Sequence, residues 1–264
     1  MSSDTRPKPF FTRYGLSRTG DPAAPLVIEP YAEIVRGGVL LPAVIASAVD
    51  IVGSLHAREI AGSDMTFTTD LSLRAPARFL PARILARGEA LRVGRTLITT
   101  AVRLEAEGEA YAYGETTFMR VARRGDPAAL PPLGMPERIP SHPLTRPLAD
   151  EVGVVLRDPA EGHVEVTLRP ALLNPEGAMQ GALVALLGQS SAETLAEHHH
   201  GAPRVVTELD IRYLATASKG PIEARAEWLG VPEEGGIRVR LCDRGNQGRI
   251  TASVLARTGP APDP

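Results

Sequence analysis

The stretch Asn174–Leu195, NPEGAMQGALVALLGQSSAETL, decides how the rest of the chain is read. It opens on Asn-Pro-Glu-Gly, a turn-forming group that neither continues a strand nor extends a helix upstream. From Met179 the residues are almost all small or apolar, unbroken from Ala182 to Leu187. Polar side chains return only at Gln189, Ser190, Ser191 and Glu193. A helix apolar on nearly every face belongs inside something, and this one is too short and too interrupted to span a membrane. The stretch predicts a buried helix behind a glycine turn, wrapped by a sheet.

A second stretch of the same kind lies upstream. VLLPAVIASAVDIVGSLHAREI (Val39–Ile60) follows Arg36-Gly37-Gly38, holds Pro42 where only a first helical turn tolerates it, and carries Asp50 in its middle. Before it, LVIEPYAEIV (Leu26–Val35) is strand-like but broken at Pro30. Residues 1 to about 25 read as a polar, proline-bearing arm that Phe10, Phe11 and Tyr14 could order in part. After it, TFTTDLSLRA, ARILARGEALRV, RTLITTAVRLEAEG and EAYAYGETTFMRV alternate with period two between Gly and Pro breaks and read as four strands.

Ala122 to about Pro143, rich in Pro, Arg and Gly and without periodicity, reads as a linker. Then the order repeats. GVVLRDP and GHVEVTLRP form a hairpin, the Asn174 turn and its helix follow, and RVVTELDIRYLA, PIEARAEWLGV, GIRVRLCDRG and RITASVLARTG supply four more strands. Gly38 lies three residues before Leu41 as Gly177 lies three before Gln180, and TDLSLRAP matches TELDIRYL. A repeat this long indicates duplication of a whole domain, with halves at 1–135 and 136–264.

Bulk properties set the limits. The 264 residues are 43% hydrophobic, enough for a substantial core, and a net charge of −2 gives no reason to expect nucleic acid or an anionic membrane. The single cysteine, Cys242, excludes an internal disulfide and fits a reducing compartment, and the N-terminal residues lack an apolar core of signal-peptide length. The expectation is a cytoplasmic protein.

A long central helix wrapped by an antiparallel sheet, with N-x-x-G-x-x-[H]-G at the helix entrance, resembles the hotdog fold. The chain is most similar to acyl-CoA thioesterases of the PaaI-like group. The implied class is α+β, a tandem double hotdog forming a pseudo-dimer with a continuous sheet. The resemblance covers about Leu26 to Arg257. In that family the entrance reads Asn, Gly three residues on, then His-Gly-Gly, with an acid nine residues after the His. The second half offers Asn174, Gly177, Gln180-Gly181-Ala182, and Gln189 in the acid's place. The first half offers Val35, Gly38, Leu41-Pro42-Ala43, and Asp50 in the acid's place.

Because the family's site lies between two copies, the resemblance implies two unequal composite sites. One combines Asn174, Gln180 and Gly181 with Asp50. The other combines Val35 and Leu41 with Gln189 and so holds no ionisable group. In the retained site the α-helix start at Gly181 supplies an unpaired N–H backed by the helix dipole. Asp50 in apolar surroundings acts as general base or nucleophile, Asn174 orients water or thioester, and Gln180 holds the carbonyl. Thr68 matches a Ser/Thr position of similar enzymes. Gly177 shapes the substrate pocket, and Arg92 and Arg95, like Arg244 and Arg249, sit near hairpin turns where coenzyme A phosphates could reach.

Each residue also has a plainer reading. Asp50 can cap or salt-bridge between helices, though a lone acid among apolar neighbours is costly. Asn174 before Pro is an ordinary turn residue, Gln180 an ordinary helix start, and Gly37, Gly38, Gly177 and Gly181 answer to backbone geometry whether or not anything reacts. The surface arginines are commonly just solvated. His198-His199-His200 point in different directions and read as a helix C-terminus, so no metal is expected. Cys242 reads as a small buried hydrophobe.

The leading function is an acyl-CoA thioesterase acting on an acyl-CoA or acyl-carrier thioester, with no cofactor beyond substrate coenzyme A, as a homo-oligomer of double-hotdog units. The alternative is a catalytically silent acyl-group binder. A hotdog hydratase ranks last, since Asp50 and His56, six residues apart, lie on different helix faces.

Overall fold

The computed structural model describes residues 10–21, 26–76, 79–122, 143–174 and 176–262. The linker expected from Ala122 to Pro143, and with it the boundary between the halves near residue 135, falls almost wholly outside them. Both buried helices form where the apolar runs place them, α1 over Pro42–Ala61 and α3 over Gly181–His200. Pro42 occupies the first turn of α1, where its missing N–H costs nothing. Gly201, left-handed at φ 63°, closes α3. A short helix, α2 (Leu148–Val152), precedes the second half.

Twelve strands of the described residues form one antiparallel sheet. The first half supplies β1 (Leu16–Arg18), β2 (Leu26–Ile28), β5 (Met65–Arg74), β6 (Ile84–Val93), β7 (Leu97–Ala106) and β8 (Glu109–Val121). The second supplies β9 (Val154–Asp158), β10 (His163–Val166), β11 (Arg204–Tyr213), β12 (Ile222–Trp228), β13 (Gly236–Asp243) and β14 (Arg249–Pro260). Their order, β1-β2-β6-β7-β8-β5-β11-β14-β13-β12-β10-β9, reads the same from either edge once the halves are exchanged. A separate two-stranded ribbon, β3 (Val35–Arg36) and β4 (Val39–Leu40), carries the Gly37-Gly38 turn into α1. Each half is thus a hairpin, a turn, a long helix and four strands: a hotdog, present twice with a continuous sheet.

The halves join where β5 pairs β11, with Ser72 opposite Asp210 near the centre. Arg74 grips Asp210 with two nitrogens at 2.9 and 3.1 Å, and Arg212 meets Asp70 at 3.0 Å across the same seam. The alternation seen in the sequence works as expected inside: Leu71, Leu73, Leu209 and Ile211 turn into a core shared by both helices. At Gly53 an added Cβ would lie 2.4 Å from Thr116 Oγ1, so α1 presses close on β8. The described part of the N-terminal arm, residues 10–21, is ordered, with Tyr14 at its centre as the aromatic residues there suggested. Tyr14 is fully buried and Leu16–Arg18 pairs with β2, because the short apolar alternation there completes the sheet edge. Among the described residues no helix is long and apolar enough to cross a membrane.

Candidate active site

α3 starts from a turn that its own side chains build. Asn174 Oδ1 accepts hydrogen bonds from the backbone N–H groups of Glu176 (3.1 Å) and Ala178 (2.9 Å), and Gly177 is left-handed at φ 78°, which only glycine adopts freely. Gln180 is the N-cap. Its carbonyl receives Leu183 N at 2.9 Å and Val184 N at 3.4 Å, while its Nε2 points to the carbonyls of Ala171 (3.4 Å) and Leu173 (3.3 Å). Both side chains therefore have a structural task in the turn, and the nitrogen of Gln180 is aimed at the protein's own carbonyls.

The backbone N–H groups of Gly181 and Ala182 donate to no group among the described residues, as the opening turn of a helix dictates. They carry the positive end of α3. Gly181 departs from the expectation that backbone geometry requires its glycine. It has no positive φ, and an added Cβ would meet nothing closer than Tyr213 Oη at 3.4 Å. What the missing side chain leaves open is the approach to the helix start.

Asp50, on α1 of the other half, is tied to this region by its electrostatic effect on Tyr213. Its Oδ1 accepts a hydrogen bond from Thr68 Oγ1 at 2.8 Å. β5 bulges just beyond Thr68 in its pairing with β8, and such a bulge re-aims side chains. Burial raises the pKa of Asp50 above the ordinary carboxylate range, and the Thr68 hydroxyl and the charge of Arg58 draw it part of the way back. Tyr213, at the end of β11, has its hydroxyl 3.4 Å from the Gly181 carbonyl oxygen, and its own pKa is raised well above a free phenol by burial and by the charge on Asp50 of the other half. Tyr213 was not among the residues expected from the sequence. The signal was there, since the match of TDLSLRAP with TELDIRYL sets Tyr213 against Ala75.

The pseudo-symmetric location is closed. Gln189 stands nine residues after the N-cap of α3, as Asp50 does after that of α1. Its Oε1 accepts the Ala43 N–H at 3.0 Å and so occupies the start of α1. The expectation that no ionisable group lies here is overturned. Gln189 Nε2 donates to Glu193 Oε1 at 3.0 Å, and Glu193, buried one helical turn on, also takes Val206 N at 3.1 Å and Arg36 Nη1 at 2.5 Å. Burial raises the pKa of Glu193, and Arg36 opposes that rise. Sequence spacing missed the acid because it searched only the position equivalent to Asp50, while helical geometry brings residues four apart to one face.

The remaining candidates are scattered. Arg92 and Arg95 flank the β6–β7 turn, are exposed and make no ion pair among the described residues. Thr68, Phe118 and Ile98 are successive register partners, so at the usual strand spacing Ile98 lies about 10 Å from Thr68 and Arg92, one strand further on opposite Thr99, about 14 Å or more. Arg244 lies 3.5 Å from Glu223. His199 and His200 end α3 and pack edge-on against Trp228. Cys242 is partly exposed on the outer sheet face, where a buried hydrophobe was expected.

No protein-family model matches the chain, and no curated protein does. Solved structures do. An acyl-ACP thioesterase from Bacteroides thetaiotaomicron superposes with a TM-score of 0.55 at 11% identity, covering 88% of this chain and 96% of its own. A putative thioesterase II from Thermobifida fusca gives 0.56 at 16%, with 96% and 98% covered. The 12:0-ACP thioesterase from Umbellularia californica gives 0.59 at 10%, with 89% and 96% covered. At such identities the likeness establishes the double-hotdog fold.

Proposed function

We propose that this protein is an acyl thioester hydrolase, of the acyl-CoA thioesterase kind, working at one composite site between its halves. The observation that carries the reading is Asp50, held by Thr68 at 2.8 Å, with its charge felt by Tyr213, whose hydroxyl lies 3.4 Å from the Gly181 carbonyl at the open start of α3. In this reading the thioester carbonyl oxygen lies against the N–H groups of Gly181 and Ala182, whose fixed dipoles stabilise the oxyanion as it forms. Asp50 takes a proton from water, and the water oxygen adds to the carbonyl carbon. Collapse of the tetrahedral adduct breaks the C–S bond, and the proton on Asp50 passes to the departing thiolate. Direct attack by the carboxylate, through an anhydride that water opens, uses the same geometry. Asn174 and Gln180 support the helix start, Gly177 shapes its turn, and Arg92 and Arg95 supply cations for the coenzyme A phosphates.

The solved thioesterases of the same fold support this reading by analogy of architecture. The PaaI-like assignment rests on the helix-entrance pattern alone, and a cytoplasmic homo-oligomer of double-hotdog units with halves at 1–135 and 136–264 completes the proposal. The test is thiol release from a panel of acyl-CoAs by the wild type and by Asp50→Asn. Turnover that collapses in the variant supports the composite site. Absence of turnover with every substrate, together with ligand-dependent thermal stabilisation, identifies a silent acyl-group binder instead.

A further inference from the structure

On the outer face of the second half's sheet, far in strand order from the β5–β11 seam, three metal-ligating side chains converge. His163 and Glu165 project from β10, and Glu223 from β12 is the direct register partner of Glu165. One ligand atom from each lies within 4.8 Å of the other two. Two carboxylates directly opposite on adjacent strands repel each other, and the arginines that approach them offset part of that repulsion. His163 makes the stronger point. It is only 8% exposed, its Nε2 is buried without a hydrogen-bond partner, and that atom faces Glu223 Oε1 at 3.9 Å. A buried imidazole nitrogen left unbonded forfeits free energy that a bound ion would return.

We propose that His163, Glu165 and Glu223 bind a divalent transition metal of the zinc type, which clamps β10 to β12. A ring nitrogen with two carboxylate oxygens is a borderline donor set that suits zinc better than magnesium or calcium, which prefer oxygen alone. Cys242, the register partner of Glu223 on β13, places a thiol on the same face outside this three-residue cluster. Three arginines compete for the carboxylates. Arg157 donates to Glu165 Oε1 at 2.8 Å and leaves Oε2 for a metal. Arg244 and Arg225 approach Glu223 at 3.5 and 3.9 Å. Both are about half exposed and swing into water at small cost. No sequence motif announces this site, because its ligands come from two strands that pair only after folding.

The test is calorimetric titration of the untagged, chelator-stripped full chain with zinc chloride, alongside thermal unfolding with and without the ion. One saturable equivalent is expected, with a raised melting temperature. Glu223→Gln and Glu165→Gln, near-isosteric changes on the outer face, should each weaken binding by about tenfold or more, since even supporting residues around a metal cost that much. Cobalt(II) binding should give visible absorption bands that vanish in Glu223→Gln. Replacing His198, His199 and His200 together by glutamine should leave the affinity unchanged. No saturable zinc binding, or binding lost in the triple histidine variant and kept in Glu223→Gln, would overturn the proposal.

Discussion

Replacing Asp50 by asparagine should make the protein more stable while removing its activity, and the two effects have one cause. The carboxylate accepts a single hydrogen bond from a side chain, that of Thr68, and burial raises its pKa. A carboxylate whose folded pKa lies above its unfolded value adds stability at low pH. That contribution is lost as pH rises through the folded pKa, above the ordinary value of about 4. At neutral pH the charge is therefore a net cost. The asparagine amide would keep an oxygen for the Thr68 hydroxyl and carry no charge. We expect a gain of at most about 1 kcal/mol at neutral pH, because the side chain is only partly buried and solvent offsets part of the cost of its charge. For a chain of this size that is a rise of about 2 °C in melting temperature. The gain should shrink as pH falls. Over the same pH range the wild type's kcat/KM should fall, because only the ionised carboxylate takes a proton from water. Loss of a general base costs roughly 10²–10⁴-fold. Thermal unfolding and acyl-CoA hydrolysis, each followed against pH, measure both. A variant less stable than wild type at neutral pH, or one keeping more than about a tenth of its kcat/KM, would refute the reasoning.

Other substitutions test the surroundings. Thr68→Val removes the hydrogen bond that draws the Asp50 pKa down, so the acid limb of the kcat/KM profile should move to higher pH with the fold intact by circular dichroism. Gly181→Ala should fold normally, since its Cβ has 3.4 Å of room, yet lose about tenfold or more in kcat as the methyl group meets the substrate carbonyl. Arg36→Met leaves Glu193 buried without its counter-charge. Breaking a buried pair costs about 3–5 kcal/mol, which we discount to about 1–3 because the Arg36 side chain is 45% exposed and screened. Since the pKa of Glu193 is already raised, the loss should be smallest in acid and grow as pH rises, as read from urea unfolding at several pH values.

Much of this molecule was legible as sequence because its information is local and periodic. Two runs of apolar residues behind glycine turns predict two buried helices, and the alternating segments after each predict the strands that wrap them. The repeat of that order reveals the duplication. The entrance residues Asn174, Gly177, Gln180 and Gly181, and Asp50 nine residues past Leu41, were visible as positions in a pattern. Positions in a pattern do not say which atoms are occupied. The tertiary structure decided that Asn174 and Gln180 spend side-chain atoms on the turn, that Gly181 is free of any backbone need for glycine, and that Tyr213 stands beside the start of α3 within the field of Asp50. It likewise decided that Gln189 closes the second location with Glu193 and Arg36, the last two lying 157 positions apart in the chain. It also gathered His163, Glu165 and Glu223 on one sheet face. Helices and strands follow from the spacing of side chains along the chain. Hydrogen-bond partners and buried charge depend on distances through space, which the antiparallel seam between β5 and β11 sets only once both halves have folded against each other.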